Sequence, residues 1–137
     1  MYQQGDIIRV PFLYTDGTGS KPRPAIIISG AEINNTQDVL AAQITSKPRN
    51  DTFTFKLNDS DLSCPLPNQC QVRCHKIFTV NKDQIISKYC QLSIEKQKEL
   101  HKKIFALIQI CDEQTEEEQF EETEEEIPNN DSTVPQE

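Results

Sequence analysis

Residues 24–29 place Ala25, Ile26, Ile27 and Ile28 side by side. A continuous, largely β-branched run of this length suits a strand buried on both faces. Such a strand needs neighbours at both edges and cover above and below. The rest of the chain offers candidates. Residues 5–13 carry Ile7, Ile8, Val10 and Phe12, and residues 38–45 form another apolar stretch. Residues 52–57 alternate, with Phe53, Phe55 and Leu57 on one side and Thr52, Thr54 and Lys56 on the other. Residues 71–80 alternate too: Val72, Cys74, Lys76, Phe78 and Val80 on one face, Arg73, His75, Ile77 and Thr79 on the other.

Between these runs lie breakers. Residues 14–22 have no apolar anchor after Tyr14 and include Gly17 and Gly19, which predicts a mobile loop. Residues 58–68 hold Asp, Ser and two prolines and read as a loop. Asn81 can cap a short helical turn running to Ser87. Ser93 then caps an amphipathic helix, with Leu100, Ile104, Leu107, Ile108 and Cys111 at helical spacing and Lys96, Lys98, Lys102 and Lys103 on the wet side. His101 reads as solvent-facing among those lysines. Five short strands and a terminal helix predict a mainly β fold: a small, twisted, mostly antiparallel barrel closed at one end by the helix.

Charge divides the chain in two. The whole sequence is −8, yet residues 112–137 hold twelve acidic and no basic residues, leaving the preceding 111 with 14 basic against 10 acidic. A body at +4 suits a polyanionic partner where a uniformly acidic protein does not. The Glu-rich end buries too little apolar surface to order itself. The expected division is a domain over residues 1–111 and an acidic, disordered tail over 112–137, either solubilising or competing with a polyanion for the body. No apolar run approaches the ~20 residues a membrane span needs, and the N-terminus lacks the pattern of a secretion signal. The expected location is the cytoplasm, with no membrane partner. Five cysteines, an odd number, argue against a disulfide framework. Cys70, Cys74 and His75 miss the usual zinc spacing, so no metal and no cofactor is expected.

Three motifs carry a resemblance. Gly5-Asp6-Ile7-Ile8-Arg9-Val10-Pro11-Phe12 with Lys21-Pro22-Arg23-Pro24-Ala25-Ile26-Ile27 comes first, then Ala42-Gln43-Ile44-Thr45-Ser46. The third is Val72-Arg73-Cys74-His75-Lys76 with Thr79-Val80-Asn81-Lys82 and Leu92. In this order and at these separations they resemble the PemK/MazF family of toxins, from Gln4 to about Ile110. The resemblance implies an SH3-like barrel that pairs as a homodimer, and the toxin half of a type II toxin–antitoxin system, held in check by a cognate antitoxin. It further implies a metal-independent endoribonuclease that cuts single-stranded RNA through its own 2′-hydroxyl, giving a 2′,3′-cyclic phosphate and a 5′-hydroxyl.

The residue types suit that reaction, which needs a base, an acid and donors around a pentacovalent dianion. Arg23, between two prolines, offers a permanently charged fork for phosphate oxygens. Thr45 offers a hydroxyl donor, and the resemblance pairs it with Arg23. Arg73 matches a second family arginine, seen as acid or phosphate stabiliser; the sequence equally allows it to pair with a carboxylate across the sheet. Where that family motif has an aspartate base, this chain has His75, whose ordinary pKa of about 6.5 suits proton transfer near neutrality. The family's first loop sometimes carries a histidine; residues 14–20 have none, so either that helper is missing or Lys21 replaces it. Ser46, Lys47 and Arg49 follow the Ile-Thr-Ser motif and could line an RNA groove, as Lys21 could. Two other classes stay open: a CcdB-like gyrase-binding toxin, although the chain has no tryptophan, and a non-cleaving RNA-binding module.

Overall fold

A computed structural model describes residues 1–13 and 16–111. The chain divides into two units, Met1–Leu107 and Ile108–Glu137, and the sheet lies wholly in the first. The acidic stretch 112–137 lies outside the described residues. Six strands run in sequence: β1 (Asp6–Leu13), β2 (Ser20–Ile27), β3 (Asp38–Thr45), β4 (Thr54–Leu57), β5 (Cys70–Asn81) and β6 (Ser87–Gln91). A short helix, α1 (Ala31–Asn34), joins β2 to β3, and α2 (Ile94–Ile108) follows β6. All pairings are antiparallel, in the order β4-β5-β3-β2-β1-β6. This is the mainly β architecture with a C-terminal helix that the alternation predicts, with one strand more than predicted.

The central run behaves as its composition requires. Ala25, Ile26 and Ile27 are all fully buried, and alternate side chains enter two separate cores. Ile7, Ile26, Ala42, Ile44 and Val72 pack with Leu92, Leu100 and Ile104, so α2 covers this face. Ile8, Val10, Ala25, Ile27, Val39 and Ala41 pack on the other face with Val80 and Ile85. Gly5 fixes the entry to β1 at φ +92°, and a Cβ there would lie 2.1 Å from Gln97 Nε2. Only glycine fits both the dihedral and that approach.

Four local expectations need correction. Strand β2 starts at Ser20 instead of Pro24, so the first loop is shorter than predicted. Its residues 14 and 15 lie outside the described set, while Asp16 Oδ1 accepts from Thr18 N at 3.0 Å and Thr18 Oγ1 at 2.8 Å. The helical turn capped by Asn81 spans only Lys82–Gln84, and β6 replaces its far end. Leu107 is 37 % exposed where helical spacing assigned it to the core, whereas Gln97 is buried. His101 is half-buried, not solvent-facing: Nε2 lies 2.8 Å from Ile28 O and Nδ1 2.8 Å from Gln97 O, tying α2 to the end of β2.

Strand β5 carries the largest departure. Ala42 faces Ile77 and Ile44 faces Val72, so a single β3 residue, Gln43, stands against residues 73–76 of β5. The three additional residues bulge out of the ladder and reverse the inside–outside parity beyond them. Val72 and Cys74 therefore point into the core under α2, and Val80 into the opposite one. Lys76, which period two sets on one face with Val72, Cys74 and Val80, is exposed while those three are buried.

Candidate functional site

A cleft of about 450 Å³ opens where the exposed ends of β2 and β3 meet the 58–68 loop and β6. Arg9, Arg23, Thr45, Ser46, Asn68 and Tyr89 supply its polar groups, and Pro22, Pro24, Ile44, Leu66, Pro67 and Cys70 its apolar ones. The sheet brings them together through register. Arg23 faces Val10 and Pro24 faces Arg9 across the β1–β2 ladder, while Ala25 faces Gln43 across the β2–β3 ladder. Two residues farther along each of β2 and β3, both strands leave the core, and Arg23 and Thr45 reach solvent there. The flanking prolines provide no N–H, which suits this outer end of a strand.

Among the described residues lining the cleft are two guanidiniums and no carboxylate. Its thiol, Cys70, is pushed above its ordinary pKa by burial and then by the charge of Asp59, so it stays protonated at neutral pH. Thr45 is prepared as a donor. Lys47 N–H donates to Thr45 Oγ1 at 3.1 Å, which fixes the hydroxyl oxygen and leaves its hydrogen available. Buried Gln71 holds the backbone around it, with Nε2 donating to Thr45 O at 3.0 Å and to Lys47 O at 2.8 Å.

Arg73 and His75 lie outside this lining. Arg73 is 9 % exposed. Its Nη1 donates to Asp51 Oδ2 at 3.0 Å, Asp51 Oδ1 at 3.2 Å and Thr54 Oγ1 at 2.9 Å. Burial would raise the Asp51 pKa, but hydrogen bonds from Arg73, Thr54 and Phe53 N–H, with the Arg73 charge, bring it below the ordinary carboxylate value. His75 is exposed and packs on Phe53 with ring centroids 4.6 Å apart. Partial burial, then the charges of Arg73 and Lys76, lower its pKa against an opposing effect of Asp51. Phe53, which alternation sets on one side with Phe55 and the buried Leu57, is 37 % exposed in this contact. Lys21 stands opposite Phe12 on β2, and Lys47 and Arg49 are exposed in the turn after β3; Ser46 alone of these four lines the cleft.

Arg9, Asn68 and Tyr89 were missed as site residues. Arg9 left a signal, being the one basic residue of β1, set between Ile8 and Val10. Tyr89 left none, because β6 itself was not foreseen.

The family model for the PemK-like, MazF-like toxins of type II toxin–antitoxin systems matches residues 3–108. The chain belongs to this PemK/MazF family. Solved structures give the same fold. A mycobacterial endoribonuclease in complex with its cognate antitoxin is 20 % identical at a TM-score of 0.63, covering 77 % of this chain and 93 % of its own. MazF in a MazE–MazF complex from Deinococcus radiodurans is 18 % identical at a TM-score of 0.65, covering 80 % and 98 %. Toxin MazF-mt6 of Mycobacterium tuberculosis is 19 % identical at a TM-score of 0.59, covering 74 % and 93 %. No curated protein matches the sequence. Among the described residues, no helix is long and apolar enough to cross a membrane.

Proposed function

We propose that this PemK/MazF protein is a toxin that cuts single-stranded RNA in the Arg23–Thr45 cleft, without a metal ion. The observation that carries the reading is the meeting of these two residues, distant in sequence, on the lining of one cleft. In the proposed reaction the 2′-oxygen attacks the adjacent phosphorus and the P–O5′ bond breaks. The 2′-hydroxyl proton is lost and the 5′-oxygen gains one, leaving a 2′,3′-cyclic phosphate and a 5′-hydroxyl. Negative charge grows on the non-bridging oxygens at the transition state. Arg23 grips those oxygens as a fork, Arg9 adds a second guanidinium, and the Thr45 hydroxyl donates the hydrogen that Lys47 N–H leaves unused. Ile44, Leu66 and Pro67 form an apolar floor beneath these donors.

Lys21, Ser46, Lys47 and Arg49 extend the basic surface from the cleft and hold RNA on either side of the scissile bond. Arg73 and His75 serve in this reading as positioning and RNA-contacting groups. The toxin domain spans residues 1–111, works as a homodimer in the cytoplasm and is restrained by a cognate antitoxin; the structural neighbours solved with antitoxins support that partnership. The test is incubation with single-stranded RNA and EDTA, mapping cut ends for wild type and Arg23→Ala. Cyclic-phosphate ends from wild type, formed at least about a hundredfold more slowly by the variant, support the reading. Retention of RNA without any cut makes the protein a binding module instead.

A further inference from the structure

We propose that Cys64 and Cys90 form a peroxide-responsive thiol pair that closes into an intrachain disulfide in the folded protein. All five cysteines are present as thiols, with Cys64 half-buried and Cys90 buried. The inference rests on register. Leu62 and Leu92 form an isolated antiparallel bridge between the 58–68 loop and the chain after β6. Ser93 N donates to Asp61 O at 2.8 Å and Ser63 N to Gln91 O at 2.9 Å, so the backbone bonds flank this pair. Leu62 and Leu92 are therefore a pair without mutual hydrogen bonds, the closer of the two kinds in an antiparallel ladder. Gln91 N returns to Ser63 Oγ at 2.9 Å, extending the pairing by one residue.

Carried two residues past that bridge, the same register sets Cys64 opposite Cys90, and Cys64 is the charged and hydrogen-bonding neighbour of Cys90. In a regular antiparallel ladder, Cα atoms at pairs without mutual hydrogen bonds stand about 4.5 Å apart, inside the range a disulfide spans. Both thiols belong to the same core layer as Leu62 and Leu92. The Cys64 thiol also reaches Tyr89 O at 3.3 Å, which keeps it on the β6 side of its own loop. Burial, then the charge of and hydrogen bonding with Cys64, push Cys90 up to about 11. Cys90 is thus a poor first nucleophile, and the more exposed Cys64 meets the oxidant.

The chemistry balances with hydrogen peroxide as oxidant. The Cys64 thiolate attacks one peroxide oxygen and becomes a sulfenic acid, and the other oxygen leaves as water after protonation. Cys90 sulfur then displaces the sulfenic hydroxyl, forming the S–S bond and releasing a second water. Two thiols are oxidised by two electrons and one peroxide is reduced. The bond lies beside the cleft, since Leu66, Pro67 and Asn68 follow Cys64 and Tyr89 precedes Cys90. Closing it ties these two walls together.

The test does not depend on any activity. The full chain is treated with hydrogen peroxide under native conditions, alkylated, digested without reduction and mapped. A Cys64–Cys90 linked peptide is expected, at least about tenfold above every other intrachain pairing. It should disappear on reduction, and its selectivity should vanish when oxidation is done in guanidinium. In Cys64→Ser, Cys90 should stay unoxidised at peroxide doses that link the wild type. Accumulation of Cys64 sulfinic acid beside an intact Cys90 thiol, or pairing no more selective than in guanidinium, overturns the proposal.

Discussion

Two arginines on neighbouring parts of one sheet have opposite fates. Arg23 stands at the exposed outer end of β2 and, among the described residues, its side chain makes no hydrogen bond or ion pair. Arg73 is 9 % exposed, and one nitrogen of its fork is committed to Asp51 and Thr54. A free fork beside a second guanidinium and a prepared hydroxyl can answer charge that arises during a reaction. An engaged fork already has its counter-charge, and freeing it means breaking a partly desolvated pair. The comparison teaches that an arginine's sequence motif gives its place, while its partners decide what it can do there.

The sharpest way to break this contrast is to remove each arginine in turn. Arg23→Ala should lower kcat by about 10²- to 10³-fold, the cost of losing one transition-state donor. Its unfolding free energy should stay within about 0.5 kcal/mol of wild type, as for an exposed side chain. Arg73→Ala should do the reverse: a clearly lower urea midpoint, because Asp51 and Thr54 lose their donor, with a kcat loss of less than about tenfold. Single-turnover cleavage and urea titration of both variants decide it. A hundredfold fall in kcat at an unchanged midpoint would put Arg73 in the same class as Arg23.

Thr45 sharpens the comparison from the cleft side. Thr45→Val keeps the shape but removes both the phosphate donor and the acceptor for Lys47 N–H. A loss of roughly 10- to 100-fold in kcat is expected, with Thr45→Ser restoring most of it. Gln71→Leu should cost less, about five- to tenfold in kcat with KM nearly unchanged. It leaves every proposed RNA contact in place and only releases the backbone oxygens of Thr45 and Lys47. Equal kcat for Gln71→Leu and wild type would show that the turn keeps its geometry without this clamp.

How much of this could be read beforehand follows from what each pattern encodes. The run at Ala25–Ile27 announced a strand covered on both faces because composition alone decides that. Arg23 and Thr45 were legible through their motifs, and the sheet register does bring them to one cleft. The β5 bulge was not legible: period-two parity holds only while the ladder is regular, and nothing in Arg73-Cys74-His75-Lys76 marks three extra residues. Once parity failed, the exposure of Lys76 was out of reach, whereas pairing with a carboxylate was one of the two roles open to Arg73, and Asp51 is that partner. Strand β6, Ser87–Gln91, alternates no apolar residues and has β1 as its only strand neighbour in the sheet, so Tyr89 was lost with it. His101 was misread because its neighbours are lysines, whereas its ring lies between Gln97 O one turn back and Ile28 O far away in sequence.

The smallest effect lies in pH, and it tests whether His75 belongs with the engaged group. Its folded pKa is below the ordinary value, through burial first and then the charges of Arg73 and Lys76. The unfolded chain therefore binds this proton more readily. The associated stability is fully present above the unfolded pKa of about 6.5 and is lost as pH falls toward and through the folded value. Asp51 is lowered as well, but its contribution is present above about 3.9 and lost only below that, so the two windows separate. Urea midpoints between pH 5 and 8, a range set by the ordinary histidine pKa of about 6.5, should decline on the acid side for wild type and less so for His75→Asn. In Asp51→Asn the decline should deepen, since the negative charge opposing Arg73 and Lys76 at His75 is gone. A decline that His75→Asn leaves untouched would mean that the imidazole does not sense Arg73, and the engaged cluster would end at Asp51.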